Sequence, residues 1–338
     1  MLKRFLQRLQ GRPALRDGNT VATPDAADFA VTPDTVVDAV VIERDELAAG
    51  FLRHLLDTAP AEAVADGLAD DMIDRLETVA GRLDLARLPR LPALVPQLLA
   101  ALRRDDVDAN ALAAMVGRDP TLAGAVVRSA NSVHYSRSTT VSALPQAISV
   151  IGNEGLRFVV LTSVMRPILQ ADPSQQGARA GQCLVAQSEA RTWACGALAA
   201  RGGDPGQAQL ASIIASTGTA ALLRMMPHAL LAQAAADPSF APRFYRLAAD
   251  LSARTAAHWR LDAALQQALL AMPGDAAPSP LAATLATADA LSMLHVLRAA
   301  DAIDTDAVLS ADPSVQQVHA GLLRTLAAMD AAEDAAAA

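Results

Sequence analysis

The chain has 338 residues, a formal net charge of −8 and a pI near 5.2; hydrophobic residues make up 52% of it and aromatic residues 3%. This composition excludes wholesale disorder, because there is enough apolar surface for a sizeable core. It also argues against nucleic-acid binding, which usually needs a basic surplus or a basic stripe. Alanine and leucine dominate while sheet-forming residues are sparse, so an all-α fold is predicted.

Residues 1–34 are predicted to form a short amphipathic helix followed by a flexible linker. In residues 2–9, apolar side chains recur at helical spacing and the basic residues lie off that stripe. Such a helix could make a weak peripheral contact with an anionic membrane, or fit a partner groove. Alternatively, it is an ordinary terminal helix that docks on its own domain or frays. Residues 11–33 are polar and rich in Pro, Gly, Asp and Thr, which is typical of a linker.

Residues 35–87 are predicted to form an N-terminal helical segment. Helical periodicity runs through residues 46–56 and 61–85. The Val-rich stretch 36–42 could be a strand, but no partner strand is evident, and its structure is left open. Pro89 and Pro92 then force an extended backbone, which marks the boundary of a larger helical domain over residues 88–300.

Five Asp-Pro pairs punctuate the remainder of the chain. Each offers an N-cap carboxylate followed by a proline suited to the first helical turn. The five aspartates are Asp119, Asp172, Asp204, Asp237 and Asp312. After a Pro-rich break at residues 273–280, helical periodicity resumes, and residues 301–338 are predicted to be a C-terminal helix with a frayed tail.

The apolar pattern predicts a cytoplasmic protein without integral membrane association. No apolar stretch approaches the ~20 residues that span a bilayer. The best candidate, residues 220–236, is interrupted by Arg224, Pro227 and His228. Cys183 and Cys195, the only cysteines, are expected to be free thiols in a reducing cytosol.

One segment of about 75 residues carries a set of motifs in a fixed order: an LPxLP start at residues 88–92, the Asp-Pro helix start at Asp119, an Arg-x-x-Asn-Ser signature and a Gln-Ala-Ile…Gly element. The residues concerned are Arg128, Asn131, Ser132, Tyr135, Gln146, Ala147, Ile148 and Gly152. This set resembles the HDOD family, the HD-related output domain of bacterial signalling proteins. A looser resemblance continues through residues 205–300.

This resemblance implies a multi-helix bundle related to HD-domain phosphohydrolases. It also implies a role in relaying signals, often beside cyclic-dinucleotide, chemotaxis or stress pathways, with the hydrolase chemistry generally lost.

The resemblance also indicates where HD-type metal ligands would stand. An HD site takes a first histidine, a His-Asp dyad and a later aspartate, because imidazole and carboxylate hold a divalent metal that activates water. The dyad slots here hold Ala215 and Ser216, and the first slot falls near Gln187 and Ser188. Only Asp289 could fill the last slot. The sequence therefore predicts a vestigial site with no catalytic residue, metal or cofactor, and no HExxH motif supplies another.

The best polar candidate for an interaction or ligand face is the group Arg128, Asn131, Ser132 and Tyr135. These residues are spaced i, i+3, i+4 and i+7, so a continuous helix would place them on one face. A guanidinium, an amide and two hydroxyls can recognise a partner's backbone or a phosphate. Alternatively, Asn131 and Ser132 tie down the chain after the helix, and Arg128 pairs with an internal carboxylate.

Three functions follow from these observations. The first is a non-enzymatic regulatory protein that binds other signalling proteins, with the N-terminal helical segment tuning access. The second is a sensor that binds a nucleotide, such as a cyclic dinucleotide, in the vestigial HD cavity, with Arg128 and Arg157 serving its phosphates. The third is a metal-dependent phosphohydrolase with a rearranged site.

Overall fold

The computed structural model describes residues 42–59, 67–83, 94–102, 108–131, 141–169, 175–200, 202–274, 278–303, 315–316 and 318–322. Within these ranges all regular structure is helical and no strand occurs, which confirms the predicted all-α bundle. The predictions for residues 2–9, the linker and the stretch 36–42 fall, apart from Ile42, outside the described residues.

The described ranges contain twelve helices of at least seven residues. In chain order they are α1 (Arg44–Leu56), α2 (Leu68–Gly81), α3 (Leu94–Ala101), α4 (Ala109–Val116), α5 (Pro120–Ala130), α6 (Leu144–Leu169), α7 (Gln175–Ala199), α8 (Pro205–Met225), α9 (His228–Ala234), α10 (Phe240–His258), α11 (Ala263–Ala271) and α12 (Pro280–Ala299). Helix α6 is kinked at Gly152, whose φ of 68° and ψ of −178° are not helical.

Two of the predicted Asp-Pro helix starts lie at the N-termini of α5 and α8. The Asp119 carboxylate accepts hydrogen bonds from the backbone of Thr121 and Leu122, and that of Asp204 accepts one from Gln207. At Asp237 the carboxylate instead accepts from the Ser239 N–H in a turn, and α10 begins only at Phe240. The Asp172 and Asp312 starts lie outside the described residues.

The centre of the bundle is formed by α7, α8, α10 and α12. Helix α7 packs against α8 and α12, and α10 packs against α8. Helix α1 packs on α12, α10 and α7. Its side chains Leu47, Phe51 and Leu52 are at most 1% exposed and belong to the same apolar core as Leu294 of α12. The N-terminal helical segment therefore shares its core with the larger domain.

Helix α12 has the length and apolar composition of a membrane-spanning helix. It is 20 residues long, but 67% of its most apolar window is buried inside the bundle. The sequence prediction that no apolar stretch approaches this length was too strict. The interrupted stretch 220–236 contains a break between two helices. Helix α8 ends at Met225, and the axis of α9 is bent by 108° from that of α8.

Candidate functional site

Five polar residues meet at the centre of the bundle, and we call them the Arg191 cluster. Helix α7 supplies Gln187 and Arg191, α8 supplies Ser212 and Ser216, and α12 supplies Asp289. Residues four apart share one face of a helix, so each pair on α7 and α8 points the same way.

The Arg191 guanidinium is the hub of this cluster. Its side chain is 2% exposed, and its Nη1 donates to Asp289 Oδ1 in an ion pair. Its Nη2 donates to Ser216 Oγ, and its Nε donates to the Ser212 carbonyl oxygen at 3.0 Å. Gln187 Nε2 adds a hydrogen bond to Asp289 Oδ1 at 3.2 Å. A buried charge in this arrangement is both paired and hydrogen-bonded, which is what burial requires.

The cluster brings together three of the positions where the resemblance places HD ligands: Gln187, Ser216 and Asp289. Ala215, the other dyad slot, belongs to an apolar group with Leu265 and Leu291, and contributes only its carbonyl oxygen to a hydrogen bond from Ser252. Arg191 was not predicted from the sequence as a site residue. It follows Gln187 by one helical turn, so it lies on the same face of α7 as that predicted ligand position, and this spacing could have indicated it.

The Arg191 cluster does not fit a divalent metal. HD-type chemistry needs imidazoles and several carboxylates, whereas the cluster offers hydroxyls, a carboxamide and one carboxylate. That carboxylate already accepts from a guanidinium, whose positive charge repels a second cation. Elsewhere in the described ranges, no three His, Cys, Asp or Glu side chains lie close enough together to hold a metal ion.

Asn131, a member of the candidate interaction face, is bound to its own chain. Its Nδ2 donates to the carbonyl oxygens of Val127, at 3.0 Å, and Val141, at 2.7 Å. Its Oδ1 accepts from the Val141 N–H at 2.7 Å. These hydrogen bonds hold Val141 against the end of α5, which is the alternative role that the sequence suggested for Asn131. Arg128 is exposed and forms no ion pair with a described carboxylate, while Ser132 and Tyr135 lie outside the described residues.

We call the three hydrogen bonds of Asn131 the Asn131 clamp, and we expect them to stabilise the fold. Asn131→Ala should lower the free energy of unfolding by about 2 kcal/mol, because both backbone groups of Val141, which is 4% exposed, lose their partner. Urea denaturation measures this. The matched control is Asn110→Ala, since the Asn110 amide bonds only to exposed Asp108; it should change stability by less than about 0.5 kcal/mol. Equal losses in the two variants would contradict the clamp.

Arg157 and Cys183, both named from the sequence, make contacts within the bundle. Arg157 is 5% exposed and donates to the Leu102 carbonyl oxygen at 3.3 Å, so a phosphate cannot reach it without unpacking. Cys183 Sγ lies 3.7 Å from His54 Nε2. Burial raises the pKa of the Cys183 thiol and lowers the pKa of His54, which favours a neutral pair over a nucleophilic thiolate.

A buried histidine near the C-terminus makes stability depend on pH. His319 is 7% exposed, and its Nε2 has no hydrogen-bond partner among the described residues. Burial lowers its pKa to about 4, with smaller contributions from Arg298 and His295. Because the folded pKa lies below the unfolded one, the unfolded chain binds more protons below about pH 6.5, and stability falls as the pH drops towards 4.

We therefore expect the free energy of unfolding to fall by roughly 2 kcal/mol between pH 7 and pH 4.5 through His319. Urea denaturation at several pH values measures this loss, and His319→Leu should remove most of that component. His258→Leu is the control, because it removes an exposed histidine instead of a buried one. A pH profile unchanged in His319→Leu would show that this histidine is not the source.

The fold is an all-helical bundle with a buried polar cluster at its centre, which is the architecture that the resemblance to the HDOD family implies. The HDOD domain profile matches residues 88–272, more than half of the chain. The chain belongs to the HDOD family. Helix α12, which supplies Asp289, follows the matched residues.

Solved structures share this fold. An HDOD domain protein of unknown function from Geobacter sulfurreducens aligns with a TM-score of 0.55 and 17% identity, over 78% of this chain and 98% of its own. A candidate signal transduction protein from Marinobacter aquaeolei gives 0.54 and 18%, over 80% of this chain and 67% of its own. A candidate phosphohydrolase from Shewanella amazonensis gives 0.50 and 21%, over 77% and 98%. No curated protein matches the sequence.

Proposed function

We propose that this HDOD protein is a non-enzymatic, cytoplasmic regulatory protein that relays signals by binding other proteins. The observation that carries the proposal is the Arg191 cluster. The Arg191 guanidinium contacts Ser216 and Asp289, two of the positions where the resemblance places HD ligands, and it forms an ion pair with the one carboxylate among those positions. This arrangement supports a structural role for the cluster, since it ties three helices together and pairs its one carboxylate with a guanidinium.

The proposed contact surface is the exposed end of α5 around Arg128. An exposed guanidinium can form paired hydrogen bonds with a carboxylate or a phosphate on a partner protein. Helix α1 lies outside the matched family region and packs on α7, α10 and α12. We propose that the N-terminal helical segment tunes the access of a partner protein to the domain through these contacts of α1.

The alternatives have less support from the described residues. A nucleotide in the vestigial cavity would meet the Asp289 carboxylate, and Arg157 is not exposed to bind its phosphates. A phosphohydrolase would need metal ligands that Ala215, Ser216 and Gln187 do not supply.

A hydrolysis assay tests the non-enzymatic part of the proposal. The purified protein is incubated with bis(p-nitrophenyl) phosphate and with a cyclic dinucleotide, each with Mn²⁺ or Fe²⁺. We expect the rate to equal that of the metal-containing buffer. A faster rate that Asp289→Asn abolishes would overturn the proposal, because it would trace catalysis to this site.

Affinity capture with cross-linking tests the partner-binding part. The wild-type protein is compared with Arg128→Ala and with Arg246→Ala, which removes an exposed arginine from α10. We expect a specific signalling protein to be captured by the wild type and by Arg246→Ala, and lost with Arg128→Ala. Capture that all three share would move the contact away from Arg128, and no specific capture at all would count against protein binding.

A further inference from the structure

Residues 318–322, which we call the C-terminal segment, are helical and are held to the bundle by apolar side chains. Leu322 is fully buried in an apolar group with Ala190 of α7. Val318 is 4% exposed and belongs to the same apolar cluster as Leu291 of α12. The C-terminal segment therefore docks on two of the helices that form the Arg191 cluster.

The contact with α7 leaves no room for a side chain at Gly321. A methyl group at this position would lie 2.8 Å from Trp193 Cη2, whereas carbon atoms pack about 3.5–4.0 Å apart. The backbone of the C-terminal segment therefore covers the indole ring of Trp193. The other tryptophan of the chain, Trp259, is the C-cap of α10.

The C-terminal segment brings a histidine into its contact with α12. His319 is 7% exposed, and its Nε2 has no hydrogen-bond partner among the described residues. On α12, the buried Nδ1 of His295 also lacks a described partner. His295 and Arg298 both act electrostatically on His319. Three basic side chains therefore lie within electrostatic range of one another where the segment docks.

The charges on α7 do not compensate for this group. The α7 residues that pack on the C-terminal segment do not titrate. The charged residues next to them in α7 have partners of their own, because Glu189 pairs with Arg166 and Arg191 pairs with Asp289. No carboxylate in the described part of the chain contributes to the pKa of His319.

Docking of the C-terminal segment depends on pH through these histidines. Burial lowers the pKa of His319 to about 4, with smaller contributions from Arg298 and His295, and burial also lowers the pKa of His295. A released, hydrated histidine titrates near pH 6.5. The released state therefore binds more protons below about pH 6.5. His319 alone lowers the equilibrium constant for docking roughly 100-fold between neutral pH and pH 4.

We propose that the C-terminal segment is docked on α7 and α12 at neutral pH and is released in acid while the rest of the bundle stays folded. Protonation of His319 and His295 places like charges together in an apolar contact, which water solvates better. Release exposes Trp193 and the apolar surface around Ala190, on the helix that carries Arg191. The inference goes beyond the proposed function and does not depend on the identity of a partner protein.

The fluorescence of Trp193 tests the release in the full-length chain. The Trp259→Phe variant makes Trp193 the only tryptophan, and its emission maximum and acrylamide quenching are followed from about pH 7.5 to about pH 4 beside the helical circular dichroism signal. We expect a red shift and stronger quenching with a midpoint between about pH 4 and pH 6.5, while the helical signal persists. Trp193 that stays covered throughout, or that becomes exposed only as the helical signal is lost, would overturn the inference.

Three substitutions in the same background assign the release to His319. His319→Leu removes the titrating group, so Trp193 should stay covered at the acidic pH that exposes it otherwise. Leu322→Asp puts a charge into the apolar contact and should expose Trp193 already at neutral pH. His258→Leu removes an exposed histidine and should leave the release unchanged. Release of His319→Leu at the unchanged pH, or a covered Trp193 in Leu322→Asp, would contradict the proposal.

Discussion

Arg191→Met is expected to lower the free energy of unfolding by about 3–5 kcal/mol, the usual cost of removing one partner from a buried ion pair. The side chain of Arg191 is 2% exposed and that of Asp289 is 13% exposed, so solvent cannot replace the lost guanidinium. Ser216 Oγ and the Ser212 carbonyl oxygen lose a donor at the same time. Chemical denaturation monitored by circular dichroism measures the change.

Two comparisons separate this effect from a general loss of packing. Arg243→Met breaks an ion pair with Asp70 on the surface, where the side chains are 33% and 72% exposed, and should cost less than about 1 kcal/mol. The double variant Arg191→Met/Asp289→Asn removes the uncompensated charge and should be more stable than Arg191→Met alone. If Arg191→Met costs no more than Arg243→Met, the cluster does not stabilise the bundle as described.

Gly218→Ala is the second large effect, with an expected loss of about 3 kcal/mol from overpacking. An added methyl group would overlap the Ala248 carbonyl oxygen and lie 2.7 Å from Ser252 Oγ. The backbone of α8 therefore lies close to that of α10 at Gly218, whose N–H also donates a 3.0 Å hydrogen bond to Ser252 Oγ. Thermal and urea denaturation would detect the loss.

Gly81→Ala is the matched control for this substitution. Gly81 ends α2, it is exposed, and an added methyl group there meets no atom within 4 Å. The variant should be neutral or more stable by up to about 1 kcal/mol, because alanine favours helix over glycine. Equal losses at the two glycines would show that the effect at Gly218 is not steric.

The local features of the fold could be predicted from sequence because they depend on neighbouring residues. Asp119 and Asp204 cap their helices as the Asp-Pro pattern predicts, since a carboxylate needs only the next few backbone N–H groups. Asp237 shows the limit of the pattern. Its carboxylate binds the Ser239 N–H in the same local way, but the following turn delays the start of α10 to Phe240.

The site was only partly predictable, because its contacts join residues far apart in the chain. The resemblance indicated Ser216 and Asp289, and the structure brings them together. It did not indicate Arg191, which contacts both of them and lies 98 residues before Asp289 in the chain. Nor could periodicity show that α1 packs against α7, α10 and α12. Amphipathic spacing indicates which face of a helix is buried, and not which helix covers it.

We propose that Arg191 takes the place that a metal has in HD-domain phosphohydrolases. A bound metal would tie α7, α8 and α12 together through charge, and the Arg191 guanidinium makes contacts with the same three helices. The bundle should therefore keep its stability without any metal, which suits a protein whose proposed work is binding.

The most direct test is the metal content of the purified protein after expression with added manganese, iron and zinc, measured by mass spectrometry for the wild type and for Asp289→Asn. We expect far less than one metal ion per chain in both, and a melting temperature that EDTA does not change. A stoichiometric metal that is present in the wild type and lost in Asp289→Asn would contradict the replacement of the metal by Arg191.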